Sequence, residues 1–165
     1  MKFLKNWLEK HPFLFGGTNL LAGLVIGFGL GVYFLPILIE EEGLTAAEIQ
    51  TIKASAERRG TFVRDLADSD AFHWGDGTIY ANETQIWLEG SVSPGPDYRL
   101  YLTPKFVETE ADFLEIKAES QEVAMIKAFQ NFRVDIPKSV TASDYPAVII
   151  WCERFGQFIT AATLE

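Results

Sequence analysis

The sequence predicts a mainly β domain, an antiparallel β-sandwich or barrel-like fold with a short helical insertion, carried on one N-terminal transmembrane helix. Three observations predict it. Residues 13–39 of the 165-residue chain are apolar and uncharged. A short segment with a helix-start motif follows them, and from Gly60 onward the chain consists of short apolar runs separated by turn residues. Runs of this length and spacing are typical of an all-β domain.

The apolar segment is long enough to cross a bilayer. It contains no Asp, Glu, Lys, Arg or His, and about 20 helical residues span a hydrocarbon core of about 30 Å. A cleaved signal peptide has an apolar core of about 7–15 residues followed by a site of small residues. This segment is longer and runs instead into Glu40, Glu41 and Glu42. We therefore predict a permanent transmembrane helix at residues 13–39, in contact with the lipid bilayer.

The placement of charge predicts the orientation of that helix. Lys2, Lys5 and Lys10 precede the apolar segment, and the three glutamates follow it. Because basic residues are retained in the cytoplasm, we predict a single-pass protein of the cell inner (plasma) membrane. Residues 1–12 form its cytoplasmic tail, and its C-terminal domain is periplasmic or extracellular. The chain has a net charge of −9, a sign that repels phosphate backbones and excludes nucleic acid as a partner.

Three glycines inside the apolar segment indicate a surface for helix pairing. Gly23, Gly27 and Gly31 recur every four residues and therefore lie on one helix face, where they allow another helix to approach closely. The partner would be a second copy of this chain or another membrane protein. The alternative interpretation is that glycine is simply common in membrane helices.

A connector is predicted at residues 40–59, between the membrane helix and the β domain. Thr45 and Glu48 have the spacing of a capping box, which predicts a helix that begins at Ala46. We expect this helix to extend to Arg58 and to stop at Gly60.

Residues 60–165 are predicted to form the β domain. Residues 78–80 and 85–88 flank a polar turn and predict a hairpin. Residues 147–152 are apolar throughout, which predicts a strand that is buried on both faces. Further strands are predicted at residues 60–63, 99–102, 123–132, 134–136 and 155–161, and a helix at residues 108–117.

Several motifs of the C-terminal domain form a specific combination. They are Gly60-Thr61-Phe62, His73-Trp74-Gly75-Asp76-Gly77-Thr78, Gly95-Pro96-Asp97-Tyr98-Arg99-Leu100-Tyr101-Leu102, and Val148-Ile149-Ile150-Trp151-Cys152-Glu153-Arg154-Phe155 with Ala161-Ala162. This combination resembles the DM13 domain family over roughly residues 60–165. The residues that correspond to the family motif are Gly95, Pro96, Asp97, Tyr101, Trp151 and Cys152. The chain departs from the family around residues 126–132, where many members carry glycines.

The resemblance implies an extracytoplasmic β domain that serves in electron transfer or redox chemistry. It also implies that Cys152, the cysteine of the family motif, is the candidate redox thiol. The resemblance does not identify a cofactor, and the residues themselves do not identify one either.

Two interpretations of Cys152 remain open from the residues alone. Because it is the only cysteine, an intramolecular disulfide is excluded, but a lone thiolate can ligate iron or copper, be oxidised reversibly, or form a mixed disulfide with a partner. Alternatively, Cys152 shares one strand face with Val148 and Ile150 as a buried structural residue. Burial would raise the pKa of its thiol and make it inert.

His73 is the second candidate for binding a cofactor, together with Cys152. A metal site that contained both residues would need a carboxylate such as Asp76 or Asp97 to complete it, and the sequence does not predict a defined metal site. The alternative is that His73 belongs to the turn before Gly75, and that Asp97 serves the turn in which it lies.

The sequence does not predict an enzyme acting on its own. It contains no GxGxxG, P-loop, HExxH, GxSxG or CxxCH motif. Three hypotheses of function follow. The chain is a membrane-anchored redox or electron-transfer accessory that uses Cys152, a non-catalytic module that binds a ligand or a protein, or a structural subunit of an envelope complex.

Overall fold

The computed structural model describes residues 10–165. Residues 1–9, which include Lys2 and Lys5 of the predicted cytoplasmic tail, lie outside the described range. Helix α1 (Pro12–Leu38) has proline at its start, where the missing N–H costs nothing. Its side chains are mostly exposed, and within the described residues it is the one helix long and apolar enough to cross a membrane.

Helix α2 (Ala46–Lys53) confirms the predicted capping box but is shorter than predicted. The Thr45 hydroxyl accepts the Glu48 N–H, and the Glu48 carboxylate accepts the Thr45 N–H at 2.8 Å. The prediction that this helix extends to Arg58 is wrong. Arg58 opens the first strand instead, and its guanidinium donates to the backbone carbonyls of Ala142 and Tyr145. These long-range bonds outweigh the local helical preference of the segment.

Within the described residues, eight strands form two antiparallel four-stranded sheets, which confirms the predicted mainly β fold. The strands are β1 (Arg58–Phe62), β2 (Gly75–Ala81), β3 (Gln85–Val92), β4 (Tyr98–Thr103), β5 (Gln121–Ile126), β6 (Arg133–Asp135), β7 (Ala147–Cys152) and β8 (Gln157–Thr163). The first sheet has the order β1-β2-β3-β6, and the second has the order β5-β4-β7-β8. The predicted hairpin is formed by β2 and β3.

The two sheets form a sandwich rather than a closed barrel. Near β1, Arg59 and Glu165 exchange two backbone hydrogen bonds, which join the first sheet to the C-terminal end of the chain. The predicted helix stop at Gly60 lies within β1. A Cβ atom there would be 2.1 Å from the carbonyl oxygen of Thr163. Glycine is therefore required because the backbones approach closely, not because a helix ends.

The second sheet is covered on both faces. Its inner face packs against the first sheet, and the core between them contains Leu100, Val148, Ile150 and Cys152. The predicted helical insertion is helix α3 (Glu110–Ile116), followed by a 3₁₀ turn at Lys117–Glu119. This helix covers the outer face, where Phe113 packs in a second apolar cluster. All six residues of β7 are consequently buried, as predicted.

The segment after β5 is a loop rather than the predicted continuation of a strand to residue 132. Its backbone bonds to the connector as well as to β3. The Lys127 carbonyl accepts the Glu41 N–H and the Asn131 carbonyl accepts the Leu44 N–H, while the Phe129 carbonyl accepts the N–H of Val92 in β3. Asn131 has a φ of 49°, a left-handed conformation that interrupts a strand. The connector is thereby fixed to the β domain.

Candidate functional site at the end of strand β7

The end of β7 places Cys152 in the apolar core. Cys152 lies directly opposite Tyr98 of β4 in the antiparallel register. Only 2% of Cys152 is exposed, and its neighbours in the inter-sheet core include Val148 and Ile150. The alternation predicted for these three residues is present, and it directs the thiol inward.

Burial governs the acid–base behaviour of the Cys152 thiol. Loss of solvation raises the pKa of Cys152, and the negative charge of Asp97 acts in the same direction, while hydrogen bonding from the backbone amides of Phe155, Arg154 and Asp97 acts in the opposite direction. Burial outweighs these amides, so the thiol is protonated at neutral pH. The same amides would stabilise a thiolate if the proton were removed or replaced by a metal ion.

The turn before β4 is built around Tyr98. The Tyr98 phenol lies 3.3 Å from the Ser93 hydroxyl and donates to the Pro94 carbonyl at 3.3 Å. Burial raises the pKa of this phenol. A Cβ atom on Gly95 would lie 2.2 Å from the Tyr98 ring. The glycine of the family motif therefore makes room for the tyrosine that lies opposite Cys152.

The outer face of the same sheet carries a network of charged groups. The Tyr101 phenol donates to the Glu153 carboxylate, and the Lys117 ammonium lies 2.7 Å from that carboxylate. Although burial acts to raise it, hydrogen bonds from Lys117 and Tyr101 lower the pKa of Glu153. The pKa of Tyr101 is raised, first by burial and then by its bond to Glu153.

The same network includes ion pairs at the Gly95-Pro96-Asp97 turn. The Arg99 guanidinium donates to the Asp97 carboxylate at 3.0 Å and to the Glu122 carboxylate at 2.9 Å. The Asp97 carbonyl accepts the Glu153 N–H at 3.0 Å. Asp97 therefore joins its turn to β7, a longer-range role than the expected bond within its own turn.

Trp151 anchors the aromatic cluster on the outer face. Its ring centroid lies 5.0 Å from that of Phe113, and Lys117 lies 5.4 Å from the Trp151 ring centroid. Only 1% of the residue is exposed. Among the aromatic residues of the domain, Trp151 and Tyr101 are thus packed as core rather than arranged around an open slot.

His73 takes part in a local turn on the other sheet. The Nδ1 atom of its ring lies 3.0 Å from the Asp70 carboxylate. The backbone N–H of His73 donates to the same carboxylate at 2.8 Å. Asp76 pairs instead with Arg64 at 2.9 Å, and Arg64 stacks on Trp74. Within residues 10–165, no group of three or more His, Cys, Asp or Glu side chains is arranged to hold a metal ion.

Sequence reasoning missed the network of Lys117, Glu153 and Glu122. Strand alternation could have placed Arg99 and Tyr101 on the same face of β4, opposite to Leu100 and Leu102. Lys117, however, follows α3, and its position above the sheet depends on how that helix packs. Only the folded chain brings it within reach of Glu153.

Comparison with known proteins assigns the β domain to a family. A search of curated proteins and a search of solved structures each gave no match. The profile of the family described as "Electron transfer DM13" matches residues 65–164, which include the β4 turn and all of β7. The match covers more than half of the chain and confirms the resemblance drawn from its motifs, so this chain belongs to the DM13 family.

Proposed function

We propose that this chain is a membrane-anchored electron-transfer accessory. Membership of the electron-transfer DM13 family is the observation that carries the proposal. In this proposal α1 crosses the plasma membrane with its N-terminus in the cytoplasm, and the DM13 domain, beginning near residue 60, lies in the periplasm or outside the cell. The lysines before α1 and the glutamates after it support this orientation.

Cys152 is the proposed redox group. Because burial raises the pKa of its thiol, Cys152 does not act as a free thiolate at neutral pH. Its role is instead to ligate a redox centre, which replaces the thiol proton, or to exchange with a disulfide of a partner. In that exchange the partner's S–S bond breaks as the mixed disulfide forms, and the sulfur that leaves takes up the Cys152 proton. The amides of Arg154 and Phe155 support both roles because they favour a sulfur that carries negative charge. His73 is the second proposed cofactor ligand.

An absorbance spectrum of the full chain, purified from membranes in detergent, tests this proposal. We expect a visible or near-infrared band that disappears in Cys152→Ser and weakens in His73→Asn, or a mixed disulfide that only Cys152→Ser abolishes. Asp144→Asn serves as a control because its side chain is exposed on a 3₁₀ turn and forms no ion pair within residues 10–165. A thiol that forms neither species and reacts with reagents only after unfolding would overturn the redox role.

The second candidate function is a binding module without redox chemistry. The specific observation that favours it is the protonated, 2%-exposed thiol. In that case Gly95, Pro96 and Asp97 serve to shape the β4 turn, and Trp151 and Cys152 serve as core. The spectrum separates the two functions because a binding module has no band that depends on Cys152.

We also propose that α1 pairs with a second copy of this chain or with another membrane protein. The spacing of Gly23, Gly27 and Gly31 supports this, because it places three residues without side chains on one face of the helix. Gly27→Leu is expected to reduce crosslinking between helices in membranes. Gly29→Leu is the matched control because it lies on the opposite side of the helix. Equal crosslinking in both variants would remove the pairing role.

A further inference from the structure

An apolar groove lies between the C-terminal part of α1 and the β domain. Its volume is about 730 Å³, which is within the range of about 300–1,000 Å³ found for ligand pockets. Helix α1 contributes Phe28, Leu35 and Pro36 to its lining. The domain contributes Pro96, Met125 and Phe129. Met125 is 41% exposed.

The walls of the groove are held together by the connector. The Glu40 carboxylate accepts the Phe129 N–H at 2.7 Å, and the Glu41 carboxylate pairs with Lys127 at 2.8 Å. The ring of Tyr33 on α1 also lies edge-on to Phe72 of the domain, with the centroids 6.2 Å apart. Because these contacts fix the helix end against the domain, the groove exists before a ligand arrives.

The position of the groove along the membrane helix determines whether lipid or water surrounds it. The proposed membrane helix runs from Pro12 to Leu38, about 40 Å at 1.5 Å per residue, whereas the hydrocarbon core is about 30 Å thick. The helix is therefore long enough for its last turns to reach the outer headgroup layer. A groove lined from Phe28 to Ile39 then extends from the hydrocarbon into that layer, and it is open to lipid.

Two cations lie at this groove. Arg154 and Lys127 both line it. Lys127 already pairs with Glu41, whereas Arg154 is exposed and forms no ion pair with any other residue of the described part of the chain. An apolar channel with a guanidinium at its rim matches a phospholipid, whose acyl chain is apolar and whose phosphate binds guanidinium groups strongly.

We propose that the groove binds one phospholipid of the outer leaflet. Its acyl chain lies along Phe28 and Leu35, and its phosphate is bound by Arg154 with help from Lys127. The lipid fills the space between α1 and the DM13 domain, which the connector already holds in place. This proposal rests on the proposed membrane anchoring of α1, and it does not depend on the redox role of Cys152.

Lipid retention tests the proposal. The full chain is reconstituted in vesicles of phosphatidylcholine and phosphatidylglycerol at 3:1, extracted in mild detergent, and analysed by native mass spectrometry for bound phospholipid. We expect one retained phospholipid per chain. Arg154→Gln should lower this retention about fivefold, the effect of one basic residue on lipid binding, and Met125→Glu should abolish it by placing a carboxylate in the groove.

The control variant is Lys138→Gln, which makes the same change of charge on the loop after β6, outside the groove. It should retain lipid as the native chain does. Equal loss in Arg154→Gln and Lys138→Gln, no retained phospholipid, or retention of a quinone or a protein in its place would overturn the proposal. Protease added to intact spheroplasts tests the anchoring separately: a protected C-terminal domain would contradict the orientation, whatever lipid is bound.

Discussion

The two faces of the second sheet show how one strand supports two kinds of chemistry. On the inner face, Cys152 lies among apolar residues, and burial raises the pKa of its thiol. On the outer face, Glu153 is the next residue, yet its bonds to Lys117 and Tyr101 lower the pKa of its carboxyl group. The thiol therefore lies in an apolar core that favours its neutral form, whereas the residue directly after β7 lies beside the outer apolar cluster, where a cation and a phenol favour its charged form.

Removal of the Trp151 side chain should have the largest effect on the stability of the second sheet. Trp151 fills the aromatic cluster of the outer face against Phe113, so Trp151→Ala leaves a large cavity. We expect the free energy of unfolding to fall by about 3–5 kcal/mol, measured by denaturant titration of the full chain in detergent. The control is Phe155→Ala, because Phe155 is 52% exposed and its loss should change stability by less than about 0.5 kcal/mol.

Equal effects of these two variants would contradict the assignment of the outer face as a second core. The aromatic cluster would then add little to stability, and Trp151 would be free for a role in binding. A large difference would show that the tryptophan of the family motif is needed for the fold.

The main features of this sheet could be predicted because they depend on local pattern. The unbroken apolar run at residues 147–152 predicted a strand buried on both faces, and alternation predicted that Cys152 shares a face with Val148 and Ile150. The Thr45–Glu48 capping box predicted the start of α2 for the same reason, since both partners lie three residues apart.

The features that could not be predicted depend on contacts distant in sequence. Arg58 leaves the predicted helix because its partners are Ala142 and Tyr145. The loop after β5 is irregular because its backbone divides its hydrogen bonds between the connector, at Glu41 and Leu44, and strand β3. The charged network of the outer face likewise depends on Lys117 reaching Glu153. No spacing within a single segment indicates any of these pairs.

A substitution on the inner face should have an intermediate effect. Cys152→Ser keeps the shape of the side chain but places a hydroxyl group in the apolar core. We expect a loss of about 1–3 kcal/mol in the free energy of unfolding, because a buried hydroxyl without a suitable partner loses its hydration. The matched control is Ser143→Ala, since Ser143 is exposed and its hydroxyl remains hydrated in the folded chain.

An unchanged stability in Cys152→Ser would show that the sulfur site is not as dry as its 2% exposure indicates. In that case the backbone amides of Arg154 and Phe155 would be satisfying the new hydroxyl. The inner face would then satisfy a polar side chain at this position, as the outer face does at Glu153.

The smallest effect is expected on the outer face, where Glu153→Gln removes the charge bound by Lys117. Both side chains are about 30% exposed, so we expect a loss of about 1 kcal/mol or less at neutral pH. Because the pKa of Glu153 is lowered in the folded chain, its contribution is complete above the unfolded value, near pH 4.5, and is lost as the pH falls through the lower folded value.

Unfolding measured between about pH 7 and pH 3 tests this sign. The native chain should lose more stability with acid than Glu153→Gln does, since the variant has no carboxylate to protonate at this position. Glu119→Gln is the control because Glu119 is exposed and forms no ion pair in the described part of the chain. If Glu119→Gln and Glu153→Gln reduced the acid-induced loss in the free energy of unfolding equally, the effect would come from net charge. In that case the outer face would hold no specific ionic network.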